Sequence, residues 1–424
     1  GWGVPFVHYH YVSEPGPLKL RVELKGFGGE IKSSADWIMT STRNMENAVL
    51  AYILNSVILS KGEACLPSFL GVGVGGYAAE AVSNAKDAIF RDLSAPARPA
   101  TEFENRLHRC VNALGLGTGG LGGNVTTMGV YVESRGTHTA VSSVAVAHQC
   151  WASRGSEALV DGKEVSFITP HMTKVEASQL LSRFSAGSAS PSSGANVYEL
   201  NTPVSEAEVT KLRVGDIVFL TGVVCTARDR AHRRMVLGME SGEGILPEME
   251  QSRAVFHCGP VVTQCQCGWS VNAAGPTTSS RFTNDGAFLA ERGVFNVIIG
   301  KGTMGEKMRT ALKGRGVYLI AVGGCAVTYQ KRIQSANPQW LELGHPEAVW
   351  VFDMERFGPL VVGIDSTGAS LSLDVMDRVY GNARDIYRNE GLNTEERYAQ
   401  SPVSLAGLSL EEVIDMGTRS SNDE

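Results

Sequence analysis

The chain has 424 residues, 43% of them hydrophobic and 19% charged, enough for packed cores in two or three domains at roughly 100–200 residues each. A net charge of −6 without clustered Lys and Arg excludes a nucleic-acid footprint, and no apolar run reaches the length of a bilayer span. Eight cysteines without a secreted spacing, and no charged-then-apolar leader, favour a reducing, cytoplasmic setting, while an opening Gly1 in place of Met points to a natural start further upstream.

Leu18, Leu20, Val22 and Leu24 alternate as one face of a strand would. The strand runs into Gly26-Phe27-Gly28-Gly29, expected as a turn where backbone can approach a ligand closely. Met45, Val49, Ile53 and Val57 recur every fourth residue and predict a helix, stopped by Lys61-Gly62. Asn55 and Ser56 mark that helix as a soluble core element. After Ala64-Cys65-Leu66-Pro67 comes a Gly-rich strand, Gly71 to Gly76, and helical patterns over 78–90 and 102–114. The second of these opens into the glycine-rich run 115–123. Strands Met128–Val132 and Val141–Ala147 surround His138 and lead to Cys150.

The composition changes between 161 and 198, where 185–195 is rich in Ser, Ala, Gly and Pro, as a linker would be. This places a first domain at 1–160 and a second at 199–372. Ser205-x-x-Glu208 fits a capping box. Strands are expected at 216–224, 294–299, 317–322, 348–352 and 360–364, with a helix at 304–313, an alternation that favours a layered α/β domain. The extension 373–424 is charged and helical in pattern and fades into an expected mobile tail at 417–424.

Several features have ordinary explanations. The 115–123 run resembles a dinucleotide loop only loosely, lacking the strand–loop–helix context and a later ribose-binding acid. Cys265-x-Cys267 near Cys258 matches no strong zinc spacing, and buried or incidental thiols explain it better. The stretch 226–234, with Arg228, Asp229 and His232, could by itself be a solvated helix start. Three features together are harder to set aside. Arg228 follows a hydrophobic strand; Gly275-Pro276-Thr277-Thr278-Ser279-Ser280-Arg281 is a hydroxyl-rich turn closed by a cation; Gly300-Lys301-Gly302 lies between a strand and a helix start. Two Arg and one Lys on such turns suit a dianion, since Arg grips carboxylates in bidentate fashion. Water addition beside a carboxylate needs an acid and a base on the two faces of the double bond, and stabilisation of growing carboxylate charge, which a metal can provide. Cys65 and Cys150, beside glycine-rich loops, could help hold an iron–sulfur cluster or could equally be buried structural thiols.

These motifs resemble the iron–sulfur-dependent class I fumarate hydratases and L-tartrate dehydratases, with the two tartrate subunits fused. The matching stretches are 62–67, Gly75-Gly76, 114–123, Gly136-Thr137-His138 and 148–152, then 226–232, 274–281, 299–302, 321–324 and 340–344, all in order over residues 1 to about 373. The resemblance implies an α+β first domain followed by a swivelling β/β/α second domain, and a homodimer with its site between domains. It implies a 4Fe–4S cluster on three cysteines, with Cys65 and Cys150 matching the second and third. It implies substrate contacts at Gly28, His138, Arg228, Arg281 and Lys301, a catalytic base at Thr277, and Asp229 and His232 as motif neighbours of the catalytic group. The expected reaction is reversible hydration of fumarate to L-malate; alternatives are L-tartrate or substituted-fumarate chemistry, or a cluster-free dicarboxylate-binding subunit. The family's first cluster cysteine and an acid lie in a Cys-Gln-Asp-Thr-Gly stretch that this sequence lacks. Either another chain or segment supplies it, or the cluster is lost; the retained cysteines and cationic motifs favour the former. Cys110 is a poor substitute.

Overall fold

The computed structural model describes residues 7–39, 44–93, 100–152, 154–168, 175, 194–266, 268–397 and 405–423. The expected linker composition at 185–195 lies mostly outside them. In chain order the first half contains β1 (Leu18–Leu24), the one-turn helix α1 (Phe27–Glu30), β2 (Ser34–Met39), α2 (Met45–Leu59), β3 (Ser68–Val74), α3 (Ala78–Ile89), α4 (Glu102–Ala113), β4 (Thr127–Ser134), β5 (Val141–Cys150), β6 (Arg154–Asp161) and β7 (Glu164–Phe167). The second half runs β8 (Val197–Asn201), α5 (Glu206–Val209), β9 (Ile217–Thr226), α6 (Asp229–Ser241), α7 (Pro247–Ser252), β10 (Ala254–Phe256), β11 (Val261–Cys265), β12 (Gly268–Ala273), α8 (Thr283–Glu291) and β13 (Val297–Gly300). It continues with α9 (Glu306–Leu312), β14 (Val317–Ile320), α10 (Ala326–Gln330), β15 (Ile333–Gln339), β16 (Val349–Ile364), α11 (Leu371–Asn389) and α12 (Leu410–Asp423). The protein is a mixed α/β molecule, and no helix among the described residues is long and apolar enough to cross a membrane.

The chain divides into two compact units, one drawn from 1–24, 90–99 and 153–188, the other from all remaining segments. In the first, β1, β6 and β7 form a three-stranded antiparallel sheet. Its buried Glu157 carboxylate is neutralised by Lys19 and Arg21 from β1. The alternating Leu18, Leu20, Val22 and Leu24 are exposed rather than covered.

Among the described residues the second unit holds three sheets, one of them the two-stranded β11–β12 hairpin. The four-stranded sheet, ordered β2-β5-β3-β4, packs on α2, which is buried on every side from Ala48 to Ile58. That helix has no polar face because α4, α11 and α12 share its core: Leu107, Val379, Tyr387, Leu410 and Val413 all belong to one cluster with Leu50 and Ile53. Its one interior amide, Asn55, accepts a hydrogen bond from the Tyr387 hydroxyl at 3.1 Å. Thr101 and Glu104 cap α4 reciprocally. Residues 417–423 of the expected tail continue α12 to its end, and earlier in that helix Leu410, Val413 and Ile414 enter the apolar core.

The seven-stranded sheet is ordered β15-β16-β14-β13-β10-β9-β8, with β16 also pairing β9. That extra pairing closes β9, β10, β13, β14 and β16 into a ring. Period two sorts the side chains: Phe256, Val297, Ile299, Val317 and Leu319 face one core with Trp350, Phe352 and Phe357 of β16. Val255, Ile298, Tyr318 and Ile320 face the other, under α6, α8 and α9. The two expected strands at 348–352 and 360–364 are one, continuous through irregularities around Met354, Phe357 and Leu360. The Ser205–Glu208 capping box opens α5 as expected.

Candidate active site

Strands β9, β10, β13 and β14 run parallel, so their carboxyl ends share one edge of the sheet. Loops leaving such an edge are where α/β proteins collect ligand groups. Arg228 follows β9, His257 follows β10, Lys301 follows β13, and Gly323-Gly324 follows β14. A fifth segment, 274–281, leaves the β11–β12 hairpin and docks on the same edge through backbone bonds. Thr277 N donates to His257 O at 2.8 Å, Ser279 N to Lys301 O at 3.0 Å, and Lys301 N to Thr277 O at 3.3 Å.

These docked loops bring the charges together. Arg281 Nη2 donates to Thr277 Oγ1 at 3.1 Å and lies 3.4 Å from the Asp229 carboxylate. Asp229 also faces Arg228 at 3.9 Å, and Arg228 Nε lies 3.4 Å from Glu347. Thr277 is half-buried, and Arg281 and Asp229 are exposed. His232 sits behind them: its Nδ1 donates to Arg228 O at 2.9 Å, its ring is buried against Phe282, and burial pulls its pKa below the ordinary value.

Lys301 points the other way, toward the first-half loops. Its ammonium is almost wholly buried, 2.8 Å from Cys65 Sγ and 3.4 Å from Glu63 O. Cys65 has a left-handed backbone, with φ at 61°. The Cys150 thiol donates to it, and together with Lys301 this holds Cys65 well below the ordinary thiol range; Cys150 is pushed up by the same bond and by burial. Glycines clear the space around both sulfurs. A Cβ on Gly323 would lie 2.7 Å from Cys65 Sγ, and one on Gly324 would lie 3.1 Å from Cys150 Sγ and 2.8 Å from Trp151 Nε1. A Cβ on Gly28 would lie 2.8 Å from Lys301 Nζ. The Trp151 indole fixes this wall by donating to Gly323 O at 2.9 Å.

Eight of the ten residues singled out in the sequence thus fall into two adjoining groups, with His232 behind the first. The tenth, His138, is exposed on the loop between β4 and β5, where its Nδ1 accepts from Ala140 N at 3.1 Å; no described contact ties it to the others. The glycine-rich run 115–123 buttresses the Cys65 loop: Gly119 N donates to Leu66 O at 3.0 Å, and Gly120 packs directly on Gly62. Glu63, missed in the sequence, is buried, accepts from Ser280 Oγ at 2.9 Å and pairs with Lys32 at 2.6 Å. Its only sequence signal was its place in the 62–67 stretch. Cys110 bonds Glu390 at 3.3 Å within the helical core. Burial raises the pKa of Cys225, to about 12, and that of Cys258, leaving both as inert thiols. Cys265 is exposed at the hairpin, and Cys267 lies outside the described residues.

Two family models match the chain, "Fumarate hydratase (Fumerase)" over residues 1–158 and "Fumarase C-terminus" over 170–375. A protein of Geobacillus stearothermophilus, provisionally named fumarate hydratase class I, is 31% identical over 390 residues, 88% of this chain and 74% of that one. The L(+)-tartrate dehydratase subunit beta of Escherichia coli K12 is 35% identical over 175 residues, 41% of this chain and 85% of that subunit. A provisionally named subunit beta of the same kind from Methanocaldococcus jannaschii is 34% identical over 43% of this chain and 95% of its own length. These matches make the chain a hydro-lyase. The chain belongs to the fumarate hydratase family.

Proposed function

We propose that this hydro-lyase adds water reversibly to fumarate to give L-malate. The observation that carries the reading is the convergence of Arg281, Thr277 and Lys301 through one set of backbone bonds, with Lys301 reaching the Cys65 thiolate. Fumarate carries a carboxylate at each end. Arg228 and Arg281 suit one of them, and the buried Lys301 suits the other. Asp229 faces both guanidiniums, at 3.9 Å from Arg228 and 3.4 Å from Arg281. Thr277 Oγ1 takes the role of base at the carbon-bound proton; a hydrogen bond from the Arg281 guanidinium favours the ionised oxygen that this role requires.

The thiol corner suits two of the three cysteine ligands of a 4Fe–4S cluster: a thiolate is the ligand form, and the bare glycine wall leaves room beside both sulfurs. When bound, the cluster would supply an open iron as Lewis acid for substrate oxygen. The third sulfur and the upstream acid are assigned to a segment or chain carrying the family's Cys-Gln-Asp-Thr-Gly stretch. On this reading the four-stranded-sheet region corresponds to the family's α+β domain and the closed sheet to its swivelling β/β/α domain, in a cytoplasmic homodimer.

An L-tartrate dehydratase is the second reading, favoured by the two subunit-beta relatives. Protein reconstituted with iron and sulfide without oxygen, assayed side by side on fumarate, L-tartrate and mesaconate, separates the readings. Fastest turnover on fumarate, abolished by air, supports the first. Fastest turnover on tartrate replaces it with the second. Fumarate binding without turnover of any of the three, in protein that holds no iron, would mean a cluster-free binding subunit.

A further inference from the structure

Behind the cationic edge lies a layer of three rings. Phe282 stacks on His232 at 4.9 Å between ring centres and meets His257 at 4.6 Å, and the two imidazoles meet edge-on at 5.1 Å. His257 is completely buried, and among the described residues its Nε2 has no hydrogen-bond partner. A buried, unpartnered ring nitrogen costs about 1–3 kcal/mol, so an apolar side chain would serve packing better here. The other nitrogen explains the choice. His257 Nδ1 lies 2.8 Å from Ser279 Oγ, at the centre of the 277–281 turn. The Tyr318 hydroxyl donates to Gly302 O at 3.0 Å, on the loop that carries Lys301. Burial keeps the imidazole neutral.

Gly300 is shaped for this contact. Its φ is unexceptional, but a Cβ there would lie 1.9 Å from Ser279 Oγ and 3.1 Å from His257 Nδ1. The residue before Lys301 is therefore emptied so that the hydroxyl can reach the imidazole.

We propose that His257 is a positioning residue: through Ser279 it holds the turn bearing Thr277 and Arg281 in register with the strand end bearing Lys301. It touches no substrate. It fixes the spacing between the base on one turn and the cation on the other, and a misplacement of about 1 Å at such a site can lower the rate by about 100-fold.

This inference rests on the hydro-lyase reading. The test uses the reconstituted protein with His257→Leu, His257→Asn and Ser279→Ala, and the double variant H257L/S279A. Expected are a kcat about 10–100-fold lower in H257L and S279A, with KM, melting temperature and iron content near the parent's. His257→Asn, whose amide can donate to or accept from the Ser279 hydroxyl, should restore kcat to within about threefold. The double variant should be no slower than either single one, because both remove one contact. Parent-like kcat in H257L and S279A overturns the inference, as does a loss in H257N equal to that in H257L. Should H257L not fold, S279A and H257N still decide it. A parent that turns over neither fumarate nor tartrate overturns this inference together with the reading beneath it; an active parent with indifferent variants overturns this inference alone.

Discussion

The cationic edge and the thiol corner adjoin at Lys301 but are built by opposite means. At the edge, position comes from what is present: strand ends, backbone bonds from 277–281 to His257 and Lys301, and a buried ring layer. At the corner it comes from what is missing: Gly28, Gly323 and Gly324 leave space where any side chain would meet Lys301 or a sulfur. A scaffold of contacts should degrade stepwise when edited, whereas a cleared space should fail at the first added carbon.

The largest effect is expected where the two regions meet. Lys301→Met removes the one group shared by both, and kcat/KM should fall by about 10²–10³-fold, the usual loss for one preorganised charge-stabilising donor. Steady-state kinetics on the preferred dicarboxylate checks this; a loss below tenfold would mean that the two regions act independently. Gly324→Ala adds a methyl against Trp151 and Cys150 at a left-handed backbone position with φ at 87°, and should cost about 1–3 kcal/mol and lower the iron bound after reconstitution. Denaturant unfolding and iron analysis read both losses.

Ser280→Ala tests the stepwise behaviour. It leaves the Glu63 carboxylate paired with Lys32 but without its hydroxyl donor, for a loss of about 1–2 kcal/mol in unfolding free energy and no loss of iron. A pH-dependent effect belongs to His148, completely buried with neither ring nitrogen partnered among the described residues. Burial, helped by Lys25 and Lys32, pushes its pKa down to about 3 from an ordinary 6.5. Because the folded-state value is depressed, its contribution is fully present above pH 6.5 and drains away as pH falls toward 3. The stability of the parent minus that of His148→Leu should therefore drop by about 1.4 kcal/mol per unit below that pH, measured by denaturant titration at several pH values. A flat difference would contradict a buried, neutral His148.

Much of this was legible in the sequence where one local rule decides. The four-residue spacing of Met45 to Val57 marks α2, and Ser205 with Glu208 marks a helix start. Arg228, Arg281, Thr277 and Lys301 stand in motifs whose residue types already imply an anion site. What was not legible depends on distant pairing. β10 has only three residues, too few to show a period, and β16 is continuous because β9, β14 and β15 hold it along its length. Glu63 meets Ser280 across 217 positions and Lys301 meets Cys65 across 236, so nothing near either residue announces the contact. His257 reads as one polar residue after a short apolar run; only the fold puts Ser279 beside it. That α2 is a core helix was legible, but not that α11 and α12, from the far end of the chain, cover it.

The central claim is that Thr277 moves the carbon-bound proton of a dicarboxylate held by the neighbouring cations. The direct measurement is turnover and binding by Thr277→Ala in oxygen-free, reconstituted protein. The account predicts a normally folded variant that binds the dicarboxylate within about threefold of the parent while kcat falls by about 10²–10⁴-fold, the range for loss of a general base. Near-parent turnover in that variant would contradict it.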